Sequence, residues 1–366
     1  MTSIVADKVA SVAQHCNLGT GLRLSPEIPC EEGVLIAARV LNNKSRYNQL
    51  ELTSGRMATV KQGDIVVGAL GHRNALHGFA GRLPDNLRVG DIVQILNLGG
   101  VMGICESANP EVGVPFECEV LGAVLANPDV SEQKAVPARV GLHAFNANAP
   151  IDVSGVPVVA VAGTCMDSGK TAASCAIISR LRHHGARVAA CKATGVALRR
   201  DILAMEDAGA AITMIFSDFG VVATTAGNGP ALTRALLSRL AESRPDVIVL
   251  ELGDGLIGDY GVDAILSQKE IRNVLTAVVL CATDSVAAWG GDRILGERYG
   301  IRPVVITGPA TDNVVGTRQV TAQTGVPAIN ALTGAAALGD LVATVVGITD
   351  STDLLPAAQG SAKDMS

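Results

Sequence analysis

The sequence predicts a small all-β, barrel-like domain followed by an α/β domain built on a parallel sheet. Three observations predict it. Between about residues 33 and 124, short alternating apolar runs are punctuated by Gly, Asn and Pro, the pattern of short strands and turns. Beyond about residue 156, near-continuous apolar runs alternate with helical stretches, which marks parallel strands covered on both faces. Residues 126–155 are rich in Pro, Asn, Asp and Ser and hold no sustained period, so they read as a linker.

In the first part the runs EGVLIAARV, YNQLELTS, MATV, IVVGAL, IVQIL and FECEVLGAVL are short, and closing them into a barrel would remove their exposed edges. Two turns echo each other, Lys61-Gln62-Gly63-Asp64 and Arg88-Val89-Gly90-Asp91, each with Gly-Asp where a hairpin needs positive φ. In the second part the strands are VPVVAVA, ARVAACK, DVIVLEL, LTAVVLCAT, RPVVIT and VPAIN. The helical stretches are KTAASCAIISRLRHH, RRDILAMEDAGA and GPALTRALLSRLAESR. The resulting division is 1–125 for the barrel-like domain, 126–155 for the linker, 156–348 for the α/β domain and 349–366 for a loose polar tail.

Composition excludes several classes of function. Of 366 residues, 29 are Lys or Arg against 35 Asp or Glu, a net charge of -6 with no basic run, so no nucleic-acid partner is expected. Aromatic residues are 2% of the chain, with Trp289 the sole tryptophan, which leaves few stacking platforms. No apolar stretch reaches the roughly 18 to 20 residues of a membrane helix. Asp7 and Lys8 interrupt the N-terminus where a signal peptide needs an apolar core, so secretion is not expected. The eight cysteines form no C-x-x-C pair, which removes the zinc reading. Cys191 and Cys281 sit inside apolar runs as small hydrophobes, and a reducing cytoplasm is the expected location.

The chemistry concentrates after the first α/β strand, at Gly163-Thr164-Cys165-Met166-Asp167-Ser168-Gly169-Lys170-Thr171. Strand, glycine loop and helix start follow one another as a P-loop requires. Backbone N–H groups can close around phosphate oxygens, Lys170 neutralises their charge, and the Thr171 hydroxyl can ligate Mg²⁺. A second candidate is Lys192 at the end of ARVAACK, followed by Thr194-Gly195; carboxyl ends of parallel strands are where such sheets bind ligands. A third is Glu251-Leu252-Gly253-Asp254-Gly255, where an apolar strand ends in a carboxylate able to hold Mg²⁺ opposite Thr171. Asp254 reads as a general base, a metal ligand or a turn-former. In the barrel, the loop Gly71-His72-Arg73-Asn74-Ala75-Leu76-His77-Gly78 is either structural or a cap on the substrate pocket.

The loop is one residue longer than the common form and resembles that of dethiobiotin synthetase, G-T-x-x-D/E-x-G-K-T. Gly163, Thr164, Asp167, Gly169, Lys170 and Thr171 match, while Cys165 departs from the usual acidic residue. The Lys192 segment resembles that family's lysine–x–x–Thr–Gly element with one residue fewer, and Glu251 matches its E-G-x-G-G piece where Leu252 and Asp254 do not. The second domain also looks like a deviant P-loop family that includes D-glutamate N-acetyltransferases.

The resemblance implies that Gly163, Thr164, Asp167, Ser168, Gly169, Lys170 and Thr171 hold ATP, with Thr307 near the base. It implies Thr171, Glu251 and Asp207 (or Asp201) around Mg²⁺. Lys192, Thr194, Gly195 and Arg199 would face a small-molecule substrate, with Lys170, Lys192 and Asp254 catalytic; Arg200 adjoins Arg199, and at most one of the two can point into the site. The activity expected is Mg-ATP-dependent phosphoryl transfer that activates a carboxylate or carbamate in a ligase-like reaction. The alternative is a coenzyme-A-dependent N-acyltransferase of an amino acid, with acetyl-CoA phosphates in the loop. A third class is a nucleotide-gated switch like the MinD group, whose lysine near the loop start is here Cys165. Related enzymes imply a homodimer.

Overall fold

The computed structural model describes residues 2–126 and 136–348; the tail, 349–366, and residues 127–135 of the linker lie outside the described residues. The first sheet comprises β1 (Thr2–Val5), β2 (Lys8–Val9), β3 (Gly21–Ser25), β4 (Leu35–Val40), β7 (Ile65–Leu70), β8 (Arg73–Asn74), β9 (Phe79–Arg82), β10 (Ile92–Ile95), β11 (Val101–Ala108) and β12 (Phe116–Val124). A separate ribbon is formed by β5 (Gln49–Glu51) and β6 (Met57–Thr59). Five of the strands close on themselves: β12 pairs with β4, β4 with β7, β7 with β11, β11 with β10, and β10 returns to β12. That ring has no free edge, which is how strands of this length avoid open pairing groups. Along β12, Phe116, Cys118 and Val120 point into the core while Glu117 between them is exposed, the period of two that a half-buried strand needs.

The two Gly-Asp turns have the expected geometry but not the expected role. Gly63 has φ 94° and Gly90 φ 93°, and Asp64 and Asp91 accept the N–H of Lys61 and Arg88 at 2.7 Å in each case. Neither is a hairpin, because β7 and β10 pair with β4 and β12 rather than with the strand before them. Barrel closure, a non-local requirement, decides the pairing.

The second sheet has the order β15-β14-β16-β13-β17-β18, every pair parallel. Its strands are β13 (Val158–Gly163), β14 (Val188–Lys192), β15 (Ile212–Ile215), β16 (Val247–Glu251), β17 (Leu275–Cys281) and β18 (Val305–Thr307). The helices are α1 (Lys170–His183), α2 (Arg200–Asp207), α3 (Gly229–Ala241), α4 (Val262–Ser267), α5 (Lys269–Val274), α6 (Ser285–Tyr299), α7 (Val314–Thr324) and α8 (Ala335–Val345). This is an α/β P-loop fold with a barrel before it. The edge strand β15 was not anticipated, and VPAIN, expected as a strand, contributes only one bridge from Ala328 to Ile306.

Alternation along β13 shows why its apolar run is unbroken. Val159 and Val161 pack with Ala173, Ile177, Ile178 and Leu181 of α1, whereas Val158, Ala160 and Ala162 face a cluster that includes Leu232 and Leu236 of α3 and continues into the barrel core. Polar ties reinforce that junction. Glu32 accepts the N–H groups of Val222 and Ala223 at 2.9 and 3.1 Å, and Asn97 donates to the Ala197 carbonyl at 2.7 Å. His15 meets Asp218 at 2.8 Å. The described cysteines are free, and burial pushes the Cys118 and Cys281 thiols up to about 12, as inert packing groups. No helix among the described residues is long and apolar enough to cross a membrane.

Candidate active site

The loop leaves β13 at the centre of the sheet and enters α1 through Gly169, whose φ of 90° makes the turn. Lys170 doubles back over it. Its Nζ donates to the Cys165 carbonyl at 2.7 Å and to the Ser168 hydroxyl at 3.4 Å, and the Ser168 hydroxyl donates to the same carbonyl at 2.9 Å. Burial pushes the Lys170 ammonium below the ordinary lysine range, with Glu251 pulling the other way. Such a lysine favours an anionic partner that would restore its charge balance.

The neighbouring strands bring the other charges. In register, Lys192 on β14 stands opposite Glu251 on β16, with Lys192 Nζ 3.5 Å from Glu251 Oε1 and ion-paired to Asp201 in the first turn of α2. Burial alone would lower the Lys192 ammonium, but Asp201 and then Glu251 outweigh it and hold it above the usual range. Burial likewise pushes the Glu251 carboxyl up, opposed by Lys192 and Lys170. Asp201 stays below its ordinary value because Lys192 outweighs burial.

Glu251 is 1% exposed, and its Oε2 is buried without a hydrogen-bond partner. The Thr171 hydroxyl lies near enough to favour its ionised form. An orphaned carboxylate oxygen beside a P-loop hydroxyl fits a hard cation whose remaining ligands are phosphate oxygens and water. No group of three or more His, Cys, Asp or Glu able to hold a metal occurs among the described residues.

A cavity of about 600 Å³ runs from the loop to the barrel. Asp167, Gly169, Lys170, Thr171, Lys192, Gly195, Glu251 and Asp254 line it; Gly163, Thr164 and Ser168 form the loop without lining it. Asp254 has φ 74° and Asp167 φ 57°, left-handed conformations that concentrate at functional sites. Burial raises the Asp254 carboxyl, opposed by the N–H groups of Gly255 and Tyr260.

Four expectations are corrected by the structure. Thr194 is fully buried, and its hydroxyl donates to the Gly253 carbonyl at 2.8 Å; it latches two strand ends so closely that a Cβ on Gly253 would lie 2.2 Å from the Thr194 carbonyl. Arg199 points to the barrel, donating from Nη1 to the Thr53 carbonyl at 3.1 Å and from its backbone to Glu51 at 2.8 Å, and its neighbour Arg200 lines the cavity instead. Asp207 is exposed in the last turn of α2, about 9 Å along the helix axis from Asp201 at 1.5 Å per residue, so Asp201 is the α2 carboxylate at the site. Thr307 is fully buried at the tip of β18 and does not line the cavity.

Of the opposite wall, sequence reasoning offered only the loop of Arg73 and His77, as one of two readings, and missed the rest. Tyr47, Arg73, His77, Asn97 and Leu98 of the barrel line the cavity, together with Tyr260 of the α/β domain. A signal existed: the chain has 3 tyrosines, and two of them meet here.

No protein-family model matches the chain, and no curated protein does. Among solved structures it is similar to the hydrogenase maturation factor HypB from Archaeoglobus fulgidus, at 16% identity over 53% of this chain and 91% of that one, with TM-score 0.36. It is similar to a DUF1611 family protein from Anabaena variabilis, at 16% identity over 58% and 62%, TM-score 0.37. The 54 kDa signal recognition particle protein from Aeropyrum pernix, in complex with GDP, gives 19% over 53% and 46%, TM-score 0.38. This chain spans less than two thirds of the latter two. At these scores the likeness adds nothing to what the strand order and loop already say.

Proposed function

We propose that the chain is a Mg²⁺-dependent, ATP-using enzyme that transfers a phosphoryl group to a small acid held between the phosphate loop and the barrel. The observation that carries this reading is a cavity that joins Lys170 and Thr171 on one wall to Lys192, Glu251 and Asp254 at the strand tips and to barrel side chains on the other.

In this reading Lys170 exchanges the Cys165 carbonyl for phosphate oxygens, and backbone amides of the loop hold the β- and γ-phosphates. Thr171 and Glu251 would hold Mg²⁺, which when bound neutralises phosphate charge. Lys192, kept cationic by Asp201 and Glu251, orients the incoming carboxylate against the γ-phosphorus. That oxygen attacks, the bond from the γ-phosphorus to the bridging oxygen breaks, and ADP leaves with the electron pair, so an acyl phosphate forms. Positioning and charge stabilisation supply most of the catalysis in such transfers.

Thermal shift of the full chain with ATP, GTP and acetyl-CoA, each with Mg²⁺, tests the ligand class. ATP stabilisation together with substrate-dependent ADP release supports the proposal. Stabilisation by acetyl-CoA alone, with acyl transfer in the absence of ATP, would replace it with the acyltransferase reading.

A further inference from the structure

Arg73 carries a charge that no carboxylate among the described residues neutralises. It is 4% exposed and lines the cavity from the barrel side. Nη1 donates to the Tyr47 hydroxyl at 2.8 Å and to the Leu96 carbonyl, while Nε is buried with no acceptor. Among the described residues no carboxylate is ion-paired to it, in contrast to Lys192, which has Asp201 and Glu251, and Arg200, which has Asp201 at 3.9 Å.

A guanidinium cannot shed its proton to escape this position. A buried charge without a counter-ion is costly, and the two neutral oxygens on Nη1 do not supply the missing charge. The group is also built to stay in place. The Tyr47 ring lies 5.6 Å from Cζ, the Tyr260 hydroxyl accepts the N–H of the next residue, Asn74, at 3.0 Å, and a Cβ on Gly78 would lie 2.5 Å from Nη2. A fixed planar cation opening onto a substrate-sized cavity is suited to a carboxylate or phosphate oxygen pair.

We infer that Arg73 binds an acidic group of the second substrate, remote from the group that accepts phosphate, so that the enzyme selects a doubly acidic metabolite. This rests on the reading that the phosphate loop takes the nucleotide, and it gives the barrel a function as the specificity wall of the site. The shared chemistry is a carboxylate or a phosphate monoester.

The test uses the full chain saturated with Mg-ADP and follows the unfolding temperature with glutarate, inorganic phosphate and, as a neutral control, glycerol. Glutarate or phosphate should raise it while glycerol does not, and the stronger of the two identifies the acid class. In Arg73→Met the acid shift should vanish. In Arg73→Lys it should need about tenfold more ligand, because a point charge replaces a planar fork. The Mg-ADP shift should stay at the parent value in both. An acid shift that survives Arg73→Met, or no acid shift in the parent, overturns the inference while leaving the nucleotide reading intact. Loss of the Mg-ADP shift from the parent alone would instead sink the nucleotide reading. Should Arg73→Met fail to fold, the Nε–H resonance of Arg73 in the parent, assigned by its loss in Arg73→Lys, decides: movement on adding glutarate or phosphate upholds the inference, and none overturns it.

Discussion

The ammonium of Lys192 lies 3.5 Å from Oε1 of Glu251, so the cation at the end of β14 and the carboxylate at the end of β16 hold each other in the cavity beside the glycine loop. Adjacent parallel strands in register make this inevitable once both residues end their strands.

Replacing Lys192 should therefore cost more than catalysis. From sequence alone, Lys192→Met looks neutral for stability, but it strands Asp201 and Glu251 without their shared cation. A loss of about 3 kcal/mol is expected, as for other broken buried pairs, measured by urea unfolding. In Lys192→Met/Asp201→Asn much of that stability should return while kcat and kcat/KM stay low together, the mark of an interaction made in the transition state. Parent-like kinetics in the single variant would remove Lys192 from the chemistry.

Lys170→Ala should leave the fold intact and abolish nucleotide stabilisation. At about 100 times Kd a bound ligand adds roughly 2.7 kcal/mol, so the parent should show a clear upward shift with Mg-ATP and the variant none. An equal shift in both would place the nucleotide elsewhere.

For the metal, Glu251→Gln keeps the shape and removes the charge opposite Thr171. Turnover should need at least about tenfold more Mg²⁺, since an ionised ligand becomes a neutral one. If the Mg²⁺ titration of turnover overlays the parent's, Asp254 becomes the next candidate.

The pH dependence of stability should carry the signature of Asp201. Its folded value lies below its unfolded one, so its pairing contributes above about pH 4 and is lost as pH falls through the folded value. Lys192 is raised, so its contribution is complete below about pH 10 and lost as pH rises through the higher folded value. Urea midpoints of the parent and Asp201→Asn should differ by a constant amount at neutral pH and converge in acid. A gap that persists at low pH would mean that the aspartate stabilises by something other than its charge.

A fragment beginning near residue 150 tests the division of labour between barrel and sheet. It loses the cover on Val222 and Phe219, which belong to the shared apolar cluster, and the Glu32 and Glu51 acceptors. The fragment should be less stable than the full chain and should keep its response to Mg-ATP while losing that to glutarate or phosphate. An unchanged acid response would show that the barrel wall is dispensable.

What the sequence determined by itself is local. A loop such as Gly163 to Thr171 announces its chemistry because backbone amides, one lysine and one hydroxyl must follow a strand in fixed order, and Glu251 and Lys192 are legible because apolar strands end in charge. The parallel sheet was readable for the same reason, since burial on both faces leaves a continuous apolar run in each strand. Tertiary structure decided everything that depends on which strand tips meet and what lies over them. Asp201 rather than Asp207 reaches Lys192 because helical phase and the first turn of α2 bring it there, and Arg199 turns away because Glu51 and Thr53 of the barrel capture it. Arg73 faces the phosphate loop only because a ring of five strands, closed by pairings far apart in the chain, sets one wall of the barrel against the carboxyl ends of the second sheet.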